Sequence, residues 1–275
     1  MDNGHMRTLL TGLAMGESPR WHDGRLWFCD WGVQQAVALD LDGGAEVVVE
    51  GEFGLPFCID WLPDGRLLIV SQRKNLLLRR DNDGTLATHA DLAVVSNVGW
   101  NEIVVDGRGN IYVNGGPGVI ALVTPDGVVR QVADGIAFPN GMAVTPDNKT
   151  LIIAESYGKC LTGFTIQIDG TLTDRRIWAS LNGHPDGICI DSEGAVWYAD
   201  VPNKRCVRVR EGGKVLQIVN TDRGCFACML GGHEGSTLFV IATEWRGMEN
   251  YEAVSKEKTG QVLAIEVSSV HAGWP

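Results

Sequence analysis

A phrase made of a tight turn followed by an apolar strand recurs six times along this chain, and a recurrence at near-constant spacing limits the fold more than any single motif can. The copies are His22-Asp-Gly-Arg-Leu-Trp-Phe, Pro63-Asp-Gly-Arg-Leu-Leu-Ile, Asp106-Gly-Arg-Gly-Asn-Ile-Tyr-Val, Pro146-Asp-Asn-Lys-Thr-Leu-Ile-Ile, Asp191-Ser-Glu-Gly-Ala-Val-Trp-Tyr and His233-Glu-Gly-Ser-Thr-Leu-Phe-Val. The first apolar residues after the turns, Leu26, Leu67, Ile111, Leu151, Val196 and Leu238, are 41, 44, 40, 45 and 42 residues apart. Between them lies a second phrase, a short strand closed by a hairpin turn, at 38–43, 78–84, 120–127, 164–170 and 207–213. Each unit therefore holds about four short strands, the content of a propeller blade. No segment sustains an apolar period of 3.6, which excludes helical solenoids.

The reading is an all-β, six-bladed propeller over residues 7–267, with four antiparallel strands per blade. Arg7–Leu10 and Gly260–Val267 are strand-like runs without a blade of their own, so the two ends are expected to share one and close the ring. Residues 1–6 read as a flexible start or a cloning remnant, 268–275 as a tail, and Trp245–Lys258 as a long rim loop.

Lys plus Arg number 23 against 34 Asp plus Glu, a formal charge of -11, which disfavours nucleic acid or an anionic membrane as partner. No apolar run approaches the roughly 18 residues of a membrane span, and the start lacks a secretory pattern, so a cytoplasmic protein is expected. The seven cysteines include Cys29, Cys58 and Cys189 in apolar runs that suit a core. Cys225-x-x-Cys228 lacks the second Cys/His pair a zinc site needs.

The first strand of a propeller blade lines the central channel. In four units it begins with an oxygen-bearing side chain: Glu17, Asn101, Asn140 and Asp186 precede their anchors by 9, 10, 11 and 10 residues. Radial symmetry then brings two carboxylates and two carboxamides to one mouth of the channel. Facing carboxylates repel unless a cation lies between them. An all-oxygen set suits Ca²⁺, with Mg²⁺, Mn²⁺ or Zn²⁺ as other divalent candidates. The same residue types also satisfy backbone groups at strand starts.

These residues carry a resemblance to the gluconolactonase and senescence-marker-protein-30 family of Ca²⁺-dependent, six-bladed propeller hydrolases. It rests on Glu17-Ser-Pro-Arg-Trp, Asn101-Glu102 with Val105-Asp106-x-x-Gly109-x-x-Tyr112-Val113, Phe138-Pro-Asn-Gly-Met142 and Pro185-Asp-Gly-Ile-Cys-Ile-Asp191. The resemblance implies metal ligation by Glu17, Asn140 and Asp186, with Asn101 either ligating or contacting substrate and bound water. It implies opening of a lactone ring, with organophosphate or other ester hydrolysis as the alternative. The family's animal enzyme has an Arg two residues before the channel Asn and an Asp after it, where this chain has Gly99 and Glu102. Losing that guanidinium removes a clamp for polyhydroxylated substrates, and Trp100, Trp31 and Trp245 are expected to make the pocket flatter and more apolar.

Asp186 is the expected general base and Glu17 mainly a ligand, while Asn101 and Asn140 position the reacting oxygens. Arg20, Glu102, Asn114, Glu155, Tyr157, His184 and Asp200 fall at strand ends near the mouth and are candidates for substrate contact, His184 also for proton transfer. Ser18 lacks the Gly-x-Ser-x-Gly elbow of a serine hydrolase. A Ca²⁺-stiffened propeller serving only as a protein-binding platform is the non-enzymatic alternative.

Overall fold

The computed structural model describes residues 5–273, so the reading of 1–4 and 274–275 lies outside the described residues. Within it the chain forms six four-stranded antiparallel sheets. Their inner strands are Gly16–His22, Phe57–Trp61, Trp100–Val105, Pro139–Val144, Pro185–Ile190 and Gly224–Gly231, here numbered blades 1 to 6. Each of the six turn phrases feeds the second strand of its blade, as at Arg25–Asp30 and Val196–Asp200. The turn acids explain why: buried Asp106 takes the amide N–H groups of Arg108 and Asn110, both at 2.9 Å. Asp191 does the same for Glu193 and Ala195. A side-chain oxygen thus replaces the hydrogen bonds the turn would otherwise lack.

Six hydrophobic clusters fill the spaces between successive blades, one per interface. Inner strands touch the inner strands of both neighbours and form a closed central ring. Blade 6 is shared: Arg7–Leu13 pairs antiparallel with Gly260–Glu266 as its outermost strand. The segment after that strand is tied across the far face, with Ser192 N–H bonded to Val270 O and His271 N–H to Gly235 O, both 2.8 Å.

One correction concerns the rim. Trp245–Lys258 is not all loop, because Tyr251–Glu257 forms a short helix with Val254 buried beneath it. No helix among the described residues is long and apolar enough to cross a membrane. All seven cysteines are buried and unpaired. Cys225 and Cys228 lie with Cys189 and Cys206 in the core between blades 5 and 6.

Candidate metal and active site

Five of the six inner strands slip register near their start. Glu17 pairs with Cys29 and Arg20 with Trp27, Pro139 with Glu155 and Met142 with Ile153, Pro185 with Asp200 and Ile188 with Tyr198. Similar slips separate Trp100 from Glu102 and Cys225 from Ala227. Only blade 2 keeps its ladder unbroken, from Phe57 to Trp61. Such bulges turn a side chain away from the strict alternation of a strand. Asn101, Asn140, Asp186 and Phe226 all sit within a slip, and Glu17 opens one.

Glycine lets these strands crowd together. A Cβ on Gly187 would meet Ala227 Cβ at 2.5 Å and Ala227 Cα at 2.7 Å. One on Gly141 would meet the backbone of Ile188 and Asp186. The Gly after Asn140 and the Gly after Asp186 therefore permit the close approach of blades 4, 5 and 6 on which the mouth depends.

The electrostatics place Glu17 of blade 1 within the field of Asp186 across the seam. Burial, then the charge of Asp186, pushes the Glu17 carboxyl well above the ordinary range, against a hydrogen bond from Ser18 N–H. Burial raises Asp186 to about 8, opposed by a hydrogen bond from the Asn140 side chain and assisted by the charge of Glu102. Burial raises both acids, and the charge of Asp186 raises Glu17 further, so the site gains from a positive charge.

The carboxamides are held from the side. Asn101 Nδ2 donates to Pro139 O at 2.9 Å, and its carbonyl oxygen accepts nothing among the described residues. Asn114 Nδ2 donates to Asn140 O at 2.6 Å, while its Oδ1 is buried without a partner. Ser156, which sequence reasoning missed between Glu155 and Tyr157, ties blades 4 and 5 together. Its hydroxyl donates to Pro185 O at 2.7 Å and accepts from Asn140 Nδ2 at 3.4 Å. Its carbonyl faces His184 Nδ1 at 3.1 Å. A carbonyl can only accept, so Nδ1 donates there, and in the neutral ring Nε2 is the acceptor.

Several expected substrate contacts are committed elsewhere. Trp100 is wholly buried between blades 2 and 3, not in a pocket, because the neighbouring Asn101 takes the slip and Trp100 keeps its core-facing position. Trp31 packs between blades 1 and 2 and donates to Phe57 O. Buried Glu155 accepts from Ala137 N–H and Thr162 hydroxyl and pairs with Arg175 at 3.0 Å, so it anchors a loop. Asp200 is consumed by Asn203, Arg205 and His184 N–H. Glu102 Oε1 accepts from Ser18 Oγ, Arg20 Nη2 and Ile103 N–H, and Arg20 also faces Asp60 at 3.8 Å. Glu102 and Arg20 thus form a polar bridge across blades 1 to 3, not a free clamp. Tyr157 is exposed and stacks on Phe138, and Trp245 meets Phe226 edge-on.

Among the described residues no three His, Cys, Asp or Glu side chains gather as a metal site. The donors at the mouth are instead two carboxylates, carboxamide oxygens and the unpartnered Asn114 Oδ1. Their hardness, and the burial that raises both acids, fit a hard divalent cation.

A model of the SMP-30/gluconolactonase/LRE-like region matches residues 15–244. Regucalcin from Bos taurus is 25% identical over 240 residues, covering 84% of this chain and 75% of its own length. A pentonolactonase from Haloferax volcanii is 27% identical over 205 residues, covering 70% of this chain and 69% of its own. In fold, the chain resembles a calcium-binding regucalcin from Agrobacterium tumefaciens with a TM-score of 0.81, 21% identity and coverage of 99% and 97%.

Proposed function

The chain belongs to the SMP-30/gluconolactonase/LRE-like family, and from that premise we propose that it is a divalent-metal-dependent hydrolase that opens a lactone ring, with Ca²⁺ the preferred ion. The observation that supports the reading is that Glu17 on blade 1 lies within the field of Asp186 on blade 5, and burial raises both acids above the ordinary carboxyl range, Asp186 with the Asn140 side chain bonded to it. The pentonolactonase likeness supports the reaction class, and the calcium-binding regucalcin likeness supports the ion.

Glu17, Asn140 and Asp186 would hold the cation, with Asn101 as a further oxygen donor. When bound, the ion would polarise the ester carbonyl and offset charge developing on its oxygen. Asp186 takes the proton from the attacking water, since it is partly exposed and the only carboxyl of the set bonded to a carboxamide. Asn101 orients the ring from a side chain pinned to Pro139 O. His184 Nε2, left free by the Nδ1 bond to Ser156 O, can pass that proton to the leaving alkoxide.

The test is a hydrolysis screen over sugar lactones, aliphatic lactones, aryl esters and phosphotriesters, each with Ca²⁺, Mg²⁺, Mn²⁺, Zn²⁺ or chelator. Lactone opening that vanishes on chelation and returns with Ca²⁺ is expected. Full turnover after complete metal removal would overturn the metal role, and phosphotriesters alone as substrates would overturn the reaction class.

A further inference from the structure

Two aromatic side chains stand in solvent beside the acidic mouth, and the molecule goes to some length to keep one of them there. Phe138 is 49% exposed and Tyr157 72% exposed, with ring centroids 4.5 Å apart and planes 25° from parallel. Isolated exposed apolar residues are ordinary. Phe138 differs because its φ is 61°, a left-handed conformation that is costly for a bulky side chain and persists only where surrounding contacts impose it.

Those contacts are present. Ala137 N–H is bonded to the buried carboxylate of Glu155 at 2.8 Å, Ser156 N–H to Phe138 O at 3.1 Å and Tyr157 N–H to Ala137 O at 3.1 Å. Glu155 is itself fixed by Thr162 and Arg175. A buried carboxylate that pairs with Arg175 and accepts one amide, together with two main-chain bonds, thus holds an exposed ring in a strained turn. That turn lies two residues before Asn140, and the next residue before Tyr157 is Ser156, which bonds both the Asn140 side chain and Pro185 O. On blade 6, Phe226 occupies the slip position equivalent to Asp186 and meets Trp245 edge-on at 5.3 Å. Arg20, the arginine near the carboxylates, is engaged by Glu102, Pro19 O and Ile103 O and is not free to bind hydroxyl groups.

We propose that Phe138 and Tyr157 form an aromatic shelf that binds an alkyl or aryl substituent of the substrate, so that this site prefers lactones bearing an apolar group over polyhydroxylated sugar lactones. The inference rests on the lactone-hydrolase reading and narrows its substrate class. An apolar chain lying on the stacked rings gains affinity with each methylene that leaves water, whereas sugar hydroxyls laid on the same ring faces would lose water without a hydrogen bond in return.

The experiment measures kcat/KM for γ-lactones of increasing alkyl chain length and for glucono-δ-lactone. Wild type is compared with Phe138→Ala, Tyr157→Ala, Tyr157→Phe and the double alanine variant. In wild type kcat/KM rises roughly two- to fourfold per methylene and exceeds that for the sugar lactone. The alanine variants flatten this slope through KM, and Tyr157→Phe retains it. Ligand-observed NMR with γ-alkyl-γ-lactams, which keep the ring but resist hydrolysis, reads the shelf without turnover. A thermal melt of each variant separates a lost shelf from a lost fold. A flat slope in wild type, or a slope kept by the double variant in both assays, overturns the shelf. Absence of lactone opening with every metal overturns the reaction instead, and the lactam series then decides the shelf alone.

Discussion

As the proposed base, Asp186 faces two demands that pull its proton in opposite directions. Burial holds its carboxyl up at about 8, yet a base must be ionised near neutrality, so a positive charge beside it is what makes the residue usable. In metal-free protein the sign follows from linkage. The folded carboxyl keeps its proton up to about 8, while the unfolded one releases it near 3.8. Between those values the folded state binds more protons, so this residue's contribution to stability is full below the unfolded pKa and is lost as pH rises through the folded one. The thermal midpoint of chelated wild type should therefore fall relative to that of Asp186→Asn between pH 5 and 8. Taking the difference removes opposing groups such as His22 and His271, whose burial lowers their pKa. Added Ca²⁺ should close the gap, most strongly at the alkaline end. Turnover of the variant with Ca²⁺ should drop about 10²- to 10⁴-fold, the usual worth of a general base. A pH-independent difference in melting would show that Asp186 is not held protonated, and undiminished turnover would remove it as the base.

The inner strands decide whether those side chains meet, and here sequence and structure part company in an instructive way. The Asp-Gly turns and the second strands they feed were legible because a turn needs particular residue types, and these recur at a visible period. The slips in the inner strands were not, since a bulge is a backbone feature without a fixed residue signature. The offsets of 9, 10, 11 and 10 residues were its only trace. Trp100 was misplaced for that reason: one residue of slip sends Asn101 to the channel and leaves its neighbour in the core. Ser156 was invisible because its partner Pro185 O belongs to another blade. Helix Tyr251–Glu257 is too short to display an apolar period, with only Val254 buried. The close approach at Gly187 gives a test on this scale. Gly187→Ala must force apart the inner strands of blades 5 and 6, because the new methyl meets both Cβ and Cα of Ala227. We expect a loss of about 1–3 kcal/mol in stability from overpacking. Turnover should fall by about 10²-fold from misplacement of Asp186. A variant as stable and active as wild type, measured by denaturant unfolding and kinetics, would mean the strands have slack that their packing does not show.

Ring closure makes the site a property of the whole molecule. Glu17 belongs to blade 1 and Asp186 to blade 5, and the blade between them on the short way round is blade 6, the one assembled from both chain ends. The seam is held by the pairing of Arg7–Leu13 with Gly260–Glu266 and by a core cluster that joins Leu13, Val262 and Ile241 of blade 6 to Leu26 and Phe28 of blade 1. Removing residues 1–13 would bare the backbone of Gly260–Glu266, a strand whose Val262, Leu263, Ala264 and Ile265 are buried, and an unpaired apolar edge invites pairing with another chain. A cation bridging blades 1 and 5 stabilises only the closed ring, by about 2.7 kcal/mol at a hundredfold excess over its dissociation constant. The full-length protein should therefore show a Ca²⁺-dependent rise in melting temperature. The truncated chain should lose that rise and elute from size-exclusion chromatography as larger species. If the truncated chain remains a monomer with the full Ca²⁺ shift, blades 1 and 5 hold their acids in register without the seam, and the two chain ends have no part in building the site.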